Sequence, residues 1–396
     1  MTEEAEYGRL RSPSETFALV EPHFPRLGIS RVARQTGLDR IGVPCFAAIR
    51  PNSRTLSAHY GKGLTDAAAR TAAVMEALEF AVAEDPPVAR RLATVLDLAK
   101  EGIDVFDCRS LLAPETELDP DIELLWVNGM RLGTGELVAV PLEAVVLGDA
   151  SPRLTEIAKT TSGLASGNSE DEAILHGLCE LIERDALTLW SLQNEAHAQA
   201  ARFDPRPLEM PAVTTLLRQI EDAGMSLQLH DLTTDLGVPV VHAMLHDPQT
   251  GGNRLFDFAS GTGCHPNAVR AALSAITEAT QSRLTNIAGS RDDYSPTEYD
   301  EAAPDDLMAL NEGHSFGRQP PASVCGDVPV REMIGVLVER LRLRGVDDLV
   351  YVPLGGQEMG VAVVRVLSAQ LEDKLGNANR WPGARAIAEL IRGITQ

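Results

Sequence analysis

The chain has 396 residues, 35 of them basic and 57 acidic, for a formal charge of −22 at neutral pH. That acid excess argues against a duplex-DNA or anionic-lipid surface, because both need a positive footprint. A nucleotide ligand stays open, since a local cluster of arginines or bound cations overrides the mean field. The hydrophobic share of 44% supports a packed core, and the length suits two domains or one large α/β domain. No run approaches about 18 apolar residues, and the acidic start MTEEAEYGRLRSPSE has no signal-peptide core, so no membrane span and a cytoplasmic location are expected. Five cysteines (Cys45, Cys108, Cys179, Cys264, Cys325) are scattered without a CxxC, the pattern of buried thiols rather than of disulfides or a zinc site. Cys264 precedes His265, but sequence neighbours rarely form a nucleophile–base pair.

In chain order, Val43 to Ile49 is an apolar run that predicts a buried strand, paired through a Pro51-Asn52 turn with Thr55 to Tyr60. A helix is predicted from Thr65 to Glu84. LLWVNGMRLGTGELVAVPLEAVVL, from Leu124, predicts two or three strands with Gly-rich turns. A second helix follows from Ser169 to Gln193. Residues 226–246 and 253–260 read as strands, and a third helix spans Pro266 to Ile287. DDYSPTEYDEAAPDD, from Asp292, reads as an exposed acidic loop. A helix at Val330 to Arg344 and strands at Asp348 to Val352 and Gly360 to Leu367 complete the chain. Alternating strands and helices give an α+β or α/β class.

Three segments resemble one another: GKGLTDAAARTAAVMEALEF from Gly61, ASGNSEDEAILHGLCELIERD from Ala165, and GTGCHPNAVRAALSAITEATQSR from Gly261. Each reads as a strand-ending Gly turn, a polar helix start, and an Ala/Leu/Ile helix interrupted by an acid. Glu76 and Glu180 each stand 13 positions after Gly63 and Gly167, and Glu278 stands 15 after Gly263. Three positions after each acid comes Glu79, Glu183 or Gln281, one helical turn away on the same face. A lone glutamate pair at this spacing is usually a solvated face. Here the flanks are apolar, and a carboxylate on a buried helix needs a cation or donors. In the second helix Glu172, His176, Glu180 and Glu183 form a stripe, while His176 and Cys179 read as packing residues. Hard carboxylate oxygens suit Mg²⁺, Mg²⁺ suggests phosphates, and Arg184 and Arg283 could contact them. The residues thus predict a buried, acid-lined Mg²⁺ site for a nucleotide, without a P-loop or a dinucleotide-binding GxGxxG.

These segments resemble the YcaO family. TSGLASGNSEDEAILHGLCELIERDA, from Thr161, is similar to its central signature; GKG with Glu76 and Glu79 resembles its first motif, and EATQSRLTNIAGSRDD, from Glu278, its third. LDRIGVP and WVNG add to the likeness, which covers about residues 28–372. The resemblance implies a YcaO fold around an ATP/Mg²⁺ site and phosphorylation of a peptide backbone amide oxygen. It implies Glu76, Glu79, Glu180 and Glu183 as Mg²⁺ ligands. It places Asn168, Glu172, Arg184, Gln281, Arg283 and Arg11 at the nucleotide, with Thr16 nearby, and makes Glu183, Arg184 and Gln281 the residues on which turnover bears. A single catalytic domain is expected: an N-terminal extension at 1–27, a core with the three acidic helices at 28–296, and the acidic loop with a C-terminal α/β part at 297–396.

The product depends on the nucleophile. A Cys, Ser or Thr of the substrate gives an azoline; an external sulfide gives a thioamide. The chain ends ELIRGITQ without the proline-rich tail of many ring-forming members. VVRVLSAQLE replaces a usual Pro-Gly, and Ala72 stands where Ser is common. No clamp or ThiF-like domain is expected alongside the catalytic unit. The wording of LDRIGVP and RPNSRTLSAHYGKG looks most like members that work with a TfuA partner, which are associated with thioamides. Thioamidation of a ribosomally made precursor peptide, with a TfuA-like partner and a sulfide donor, is therefore the leading expectation. An azoline-forming cyclodehydratase and a non-catalytic ATP-binding scaffold are the alternatives, and a homodimer is left open.

Overall fold

Three helix–strand contacts place the acidic residues, and glycines let the backbones approach closely in each. The computed structural model describes residues 9–112, 116–148, 157–193, 199–208, 210–249, 254–289, 295, 297, 299, 301–303, 316–373 and 381–395. The acidic segment from Asp292 to Asp306 lies largely outside them.

The strands are β1 (Arg31–Arg34), β2 (Cys45–Ile49), β3 (Ala58–Lys62), β4 (Arg91–Ala93), β5 (Asp104–Val105), β6 (Leu124–Arg131), β7 (Leu137–Pro141), β8 (Leu164–Gly167), β9 (Arg202–Phe203), β10 (Ser226–Asp231), β11 (Val240–His246), β12 (Phe258–Cys264), β13 (Val350–Gly355) and β14 (Ala362–Leu367). Helices beyond a single turn are α1 (Pro13–Val20), α2 (Asp66–Glu84), α3 (Val95–Lys100), α4 (Glu170–Ser191), α5 (Pro211–Asp222), α6 (Ala268–Ala288), α7 (Val330–Arg342) and α8 (Ala384–Thr395). Among the described residues no helix is long and apolar enough to cross a membrane.

The chain divides into two units, each discontinuous in sequence: 1–23, 78–192 and 327–396 in the first, 24–77 and 193–326 in the second. In the first, a seven-stranded sheet runs β5-β7-β6-β13-β14-β8 with β4 on β6. Helix α4 packs on β8 and β14, and α7 and α8 pack on α4. In the second, a three-stranded meander β1-β2-β3 and a four-stranded sheet β12-β11-β10-β9 both contact α6.

Local chemistry sets the helix ends. Ser12 and Glu15 form a reciprocal capping box at α1, with Pro13 at its first position. Asp85-Pro86-Pro87 follows α2 and cannot continue it. Ser169 caps α4, and three acids fill its first turn, where the helix dipole favours them. Asn267 caps α6, which ends at Gly289 in the left-handed region (φ 56°). Two amphipathic helices, α5 and α8, fall where the sequence reading assigned no element.

Three glycines differ from expectation. Gly61 lies inside β3, and Gly261 and Gly263 lie inside β12, rather than in turns that end the strands. A Cβ on Gly61 would collide with the backbone of Ala69 and Ala73, and one on Gly261 with that of Ala275 and Ala279. The glycines therefore let helix backbone lie directly on strand backbone. Strand β12 also begins later than predicted, because Leu255–Asp257 forms a single helical turn in which Asp257 accepts from the Arg254 amide.

Gly261→Ala should lower stability by about 1–3 kcal/mol through overpacking against fixed backbone, read as a fall in melting temperature. A second prediction concerns the cross-strand pair His230 and His242. Burial pushes their pKa values down to about 3 and about 4, from 6.5. A group depressed in the folded state binds more protons unfolded, so its stabilisation is complete above about pH 6.5 and is lost as pH falls toward 4. Melts across that window should show this loss, and His230→Leu should flatten it.

Candidate nucleotide and magnesium site

In the first unit β8 and its approach supply donors to two of the predicted acids. Glu79, 9% exposed, accepts through Oε1 from the Ser166 amide (2.8 Å) and Ser166 Oγ (2.6 Å). Glu180 accepts from the Gly163 amide at 3.0 Å and faces Arg184 Nη2 at 3.4 Å. Burial raises the Glu180 pKa above the ordinary carboxylate value, against the charge of Arg184, the Gly163 amide and the charge of Arg365. Glu183, three residues after Glu180 on the same face of α4, is half-buried. A cation at these oxygens would offset the burial that disfavours their charge.

At the start of α4 the structure brings Arg11, Thr16, Asn168 and Glu172 together. Asn168 donates to Glu172 Oε2 from its amide (2.9 Å) and side chain (3.0 Å), and the Leu10 amide donates to Oε1 (2.5 Å). Thr16 Oγ1 donates to Asn168 Oδ1 at 2.6 Å. Arg11 Nη1 donates to the carbonyls of Asn168 (3.1 Å) and Gly360 (3.0 Å). The chain before α1 is thereby fastened to the start of α4.

In the second unit Glu76 accepts from the Tyr60 amide at 2.8 Å, the third carboxylate held by a backbone amide. Glu278 on α6 forms an ion pair with Lys62 of β3. Gln281 is half-buried one turn further along. Arg283 meets Asp247 at 3.0 Å and Asp39 at 3.7 Å. Ser166, Lys62, Asp39 and Asp247 were not singled out by the sequence reading. Lys62 stood inside the GKG motif and Asp39 inside LDRIGVP, so position in a motif was their signal.

The remaining candidates resolve simply. Cys179 and Cys264 are buried, whereas His176 is exposed and does not pack in the core as expected. Its place in the stripe of α4 faces solvent. His265 Nδ1 accepts from the Asn267 amide at 2.9 Å, a local turn contact. Burial pushes the Cys45 and Cys108 thiols up to about 12, which leaves them protonated and weakly nucleophilic.

Among the described residues no group of three or more His, Cys, Asp or Glu forms a metal cage. Mg²⁺ is normally held by one or two carboxylates together with phosphates and water, so acid pairs with a raised, half-buried member such as Glu180 fit it. The donor set is all oxygen, which also excludes a thiolate-type zinc centre at these helices.

The comparisons agree with this chemistry. The family model described as YcaO cyclodehydratase, ATP- and Mg²⁺-binding, matches residues 60–372. An uncharacterised protein of the tfuA 3′ region of Rhizobium leguminosarum bv. trifolii is 37% identical, covering 98% of this chain and 94% of its own. An uncharacterised protein of Methanothermobacter thermautotrophicus is 35% identical over 91% and 94%. The solved structure of YcaO from Methanopyrus kandleri bound with AMPPCP and Mg²⁺ matches with TM-score 0.74 and 24% identity over 94% of each chain. A heterocyclase in complex with substrate and cofactor matches with TM-score 0.75 and 18% identity; 93% of this chain is covered but only 53% of that one, so this chain spans about half its length. The fold is that of these structures, the cofactors are ATP and Mg²⁺, and the chain belongs to the YcaO family of ATP-dependent enzymes.

Proposed function

We propose that the protein activates a backbone amide of a ribosomally made peptide and converts it to a thioamide, working with a TfuA-like partner and a sulfide donor. The observation that carries this is the likeness to the protein of the tfuA 3′ region, 37% identical over 98% of the chain. An azoline-forming cyclodehydratase is the second reading, supported by the description of the family model and by the heterocyclase of similar fold. An ATP-binding scaffold without turnover is the reading from another class.

In this proposal Glu76, Glu79, Glu180 and Glu183 hold Mg²⁺, while Arg184, Gln281, Asn168, Glu172 and Arg11 orient the nucleotide. When bound, MgATP supplies the phosphoryl group that turns the amide oxygen into a leaving group. The amides of Tyr60, Ser166 and Gly163 hold three of the acids in fixed orientations. Such preorganised groups need no rearrangement as charge develops. Arg184, one turn from Glu180 and adjacent to Glu183, presents a fork of donors suited to phosphate oxygens. The nucleophile belongs to the peptide or to the sulfide donor, and its identity sets the product.

Glu76→Ala, Glu183→Ala and Arg184→Ala should each lower kcat by at least about a hundredfold, measured as ADP release with peptide present. Full activity in all three would remove these residues from the site. The product is tested by mass spectrometry of a precursor peptide co-expressed with this protein and a TfuA-like partner. Replacement of one oxygen by one sulfur is expected. Loss of one water supports the azoline reading instead. Release of AMP in place of ADP contradicts phosphorylation, and nucleotide binding without peptide-stimulated turnover supports the scaffold.

A further inference from the structure

The LDRIGVP motif is used by neither the acid pairs nor the proposed nucleotide contacts, yet it forms half of a charge network in the second unit whose two carboxylates are buried while Arg40 is exposed. Asp39 Oδ1 accepts from the amides of Ile41 (3.0 Å) and Gly42 (3.4 Å), and its Oδ2 lies 3.7 Å from Arg283 Nε. Asp247, just after β11, accepts from Arg283 Nη2 at 3.0 Å through Oδ2 and from Arg40 Nη2 at 2.7 Å through Oδ1. Arg40 also donates to the Ala223 carbonyl at 2.5 Å. The order Arg40, Asp247, Arg283, Asp39 alternates in sign and sums to zero. Both carboxylates are 2% exposed and the Arg283 side chain 12%.

Helix geometry separates Arg283 from the site face. At about 100° per residue, Gln281 lies roughly 60° from Glu278, whereas Arg283 lies roughly 160° from Gln281. Arg184, by contrast, falls four residues after Glu180 and shares its face. The two arginines that the sequence reading grouped as phosphate contacts therefore occupy unlike positions on their helices.

We propose that Arg283 is a positioning residue and not a phosphate ligand: clamped between Asp39 and Asp247, it fixes the rotation of the α6 turn that presents Glu278 and Gln281. The proposal rests on the Gln281 face being part of the nucleotide site. A guanidinium bridging two buried carboxylates has little freedom, because leaving either would strand a buried charge. The bridge also joins α6 to the loop before β2 and to the end of β11, so the turn bearing Gln281 is held from two sides.

The test is calorimetric titration with Mg²⁺ and a non-hydrolysable ATP analogue, with a thermal melt of each variant. Asp39→Asn, which lies outside the proposed nucleotide contacts, and Arg283→Gln should weaken binding by similar factors, about tenfold each. The double variant should bind no more weakly than the weaker single one, because both break the same network. If Arg283→Gln does not fold, Arg283→Lys takes its place in the same comparison. Loss of about a hundredfold in Arg283→Gln with Asp39→Asn within about twofold of the parent would make Arg283 a direct ligand and overturn the proposal. Unchanged binding in both, with lower melting temperatures, overturns it in favour of stability alone. Gln281→Ala separates the two failures. If it binds like the parent, the face is outside the nucleotide site and both readings fall. If it binds weakly while Asp39→Asn does not, only the positioning role falls.

Discussion

A carboxylate withdrawn from water must be given donors or a cation, and this chain meets the requirement with backbone amides and arginines in different proportions. Glu76, Glu79 and Glu180 accept hydrogen bonds from backbone amides of Tyr60, Ser166 and Gly163, and Glu180 also faces Arg184 at the longer distance of 3.4 Å. An amide orients a carboxylate yet leaves its charge in place. Asp185, Asp39 and Asp247 add arginines to such amide donors: Arg385 at 2.8 Å for Asp185, Arg283 at 3.0 Å and Arg40 at 2.7 Å for Asp247, and Arg283 at 3.7 Å for Asp39. A guanidinium cancels the charge that it holds. The first set suits the capture of Mg²⁺, and the second suits the fixing of elements.

Amide donors can reach helix-borne glutamates only if helix and strand lie close together. Glycines inside β3 and β12 remove the side chains that would separate the backbones. Alanines line the opposing helix surfaces at Ala69, Ala73, Ala275 and Ala279, all fully buried. Small residues thus position acids several residues away.

Much of this was legible in the sequence, because helix periodicity and capping are local. The three long helices lie within two residues of their predicted limits, and the acid spacing of three is a property of the helix itself. What failed was tertiary in origin. Glycine is disfavoured in strands, so Gly61 and Gly261 read as turns until a helix was seen lying on them. Helix α1 carried a readable signal in Ser12, Pro13 and Glu15, but its docking through Thr16 and Arg11 onto Asn168 joins residues about 150 positions apart. Arg283 looked equivalent to Arg184 because both follow an acid or amide closely; the count of about 100° per residue puts it on another face, and the partners Asp39 and Asp247 show what holds it there.

The charge of −22 takes on a definite meaning in this light. A share of the acids is neutralised internally by arginine, a share lies on the surface, and the pairs on α2 and α4 are proposed to be completed by metal and phosphate. The most direct measurement is a crystal structure with AMPPCP in which Mn²⁺ replaces Mg²⁺, read by anomalous scattering. The account predicts Mn²⁺ peaks within about 2.2 Å of carboxylate oxygens of Glu76, Glu79, Glu180 and Glu183. Peaks bound to other residues, with these four carboxylates uncoordinated, would contradict it.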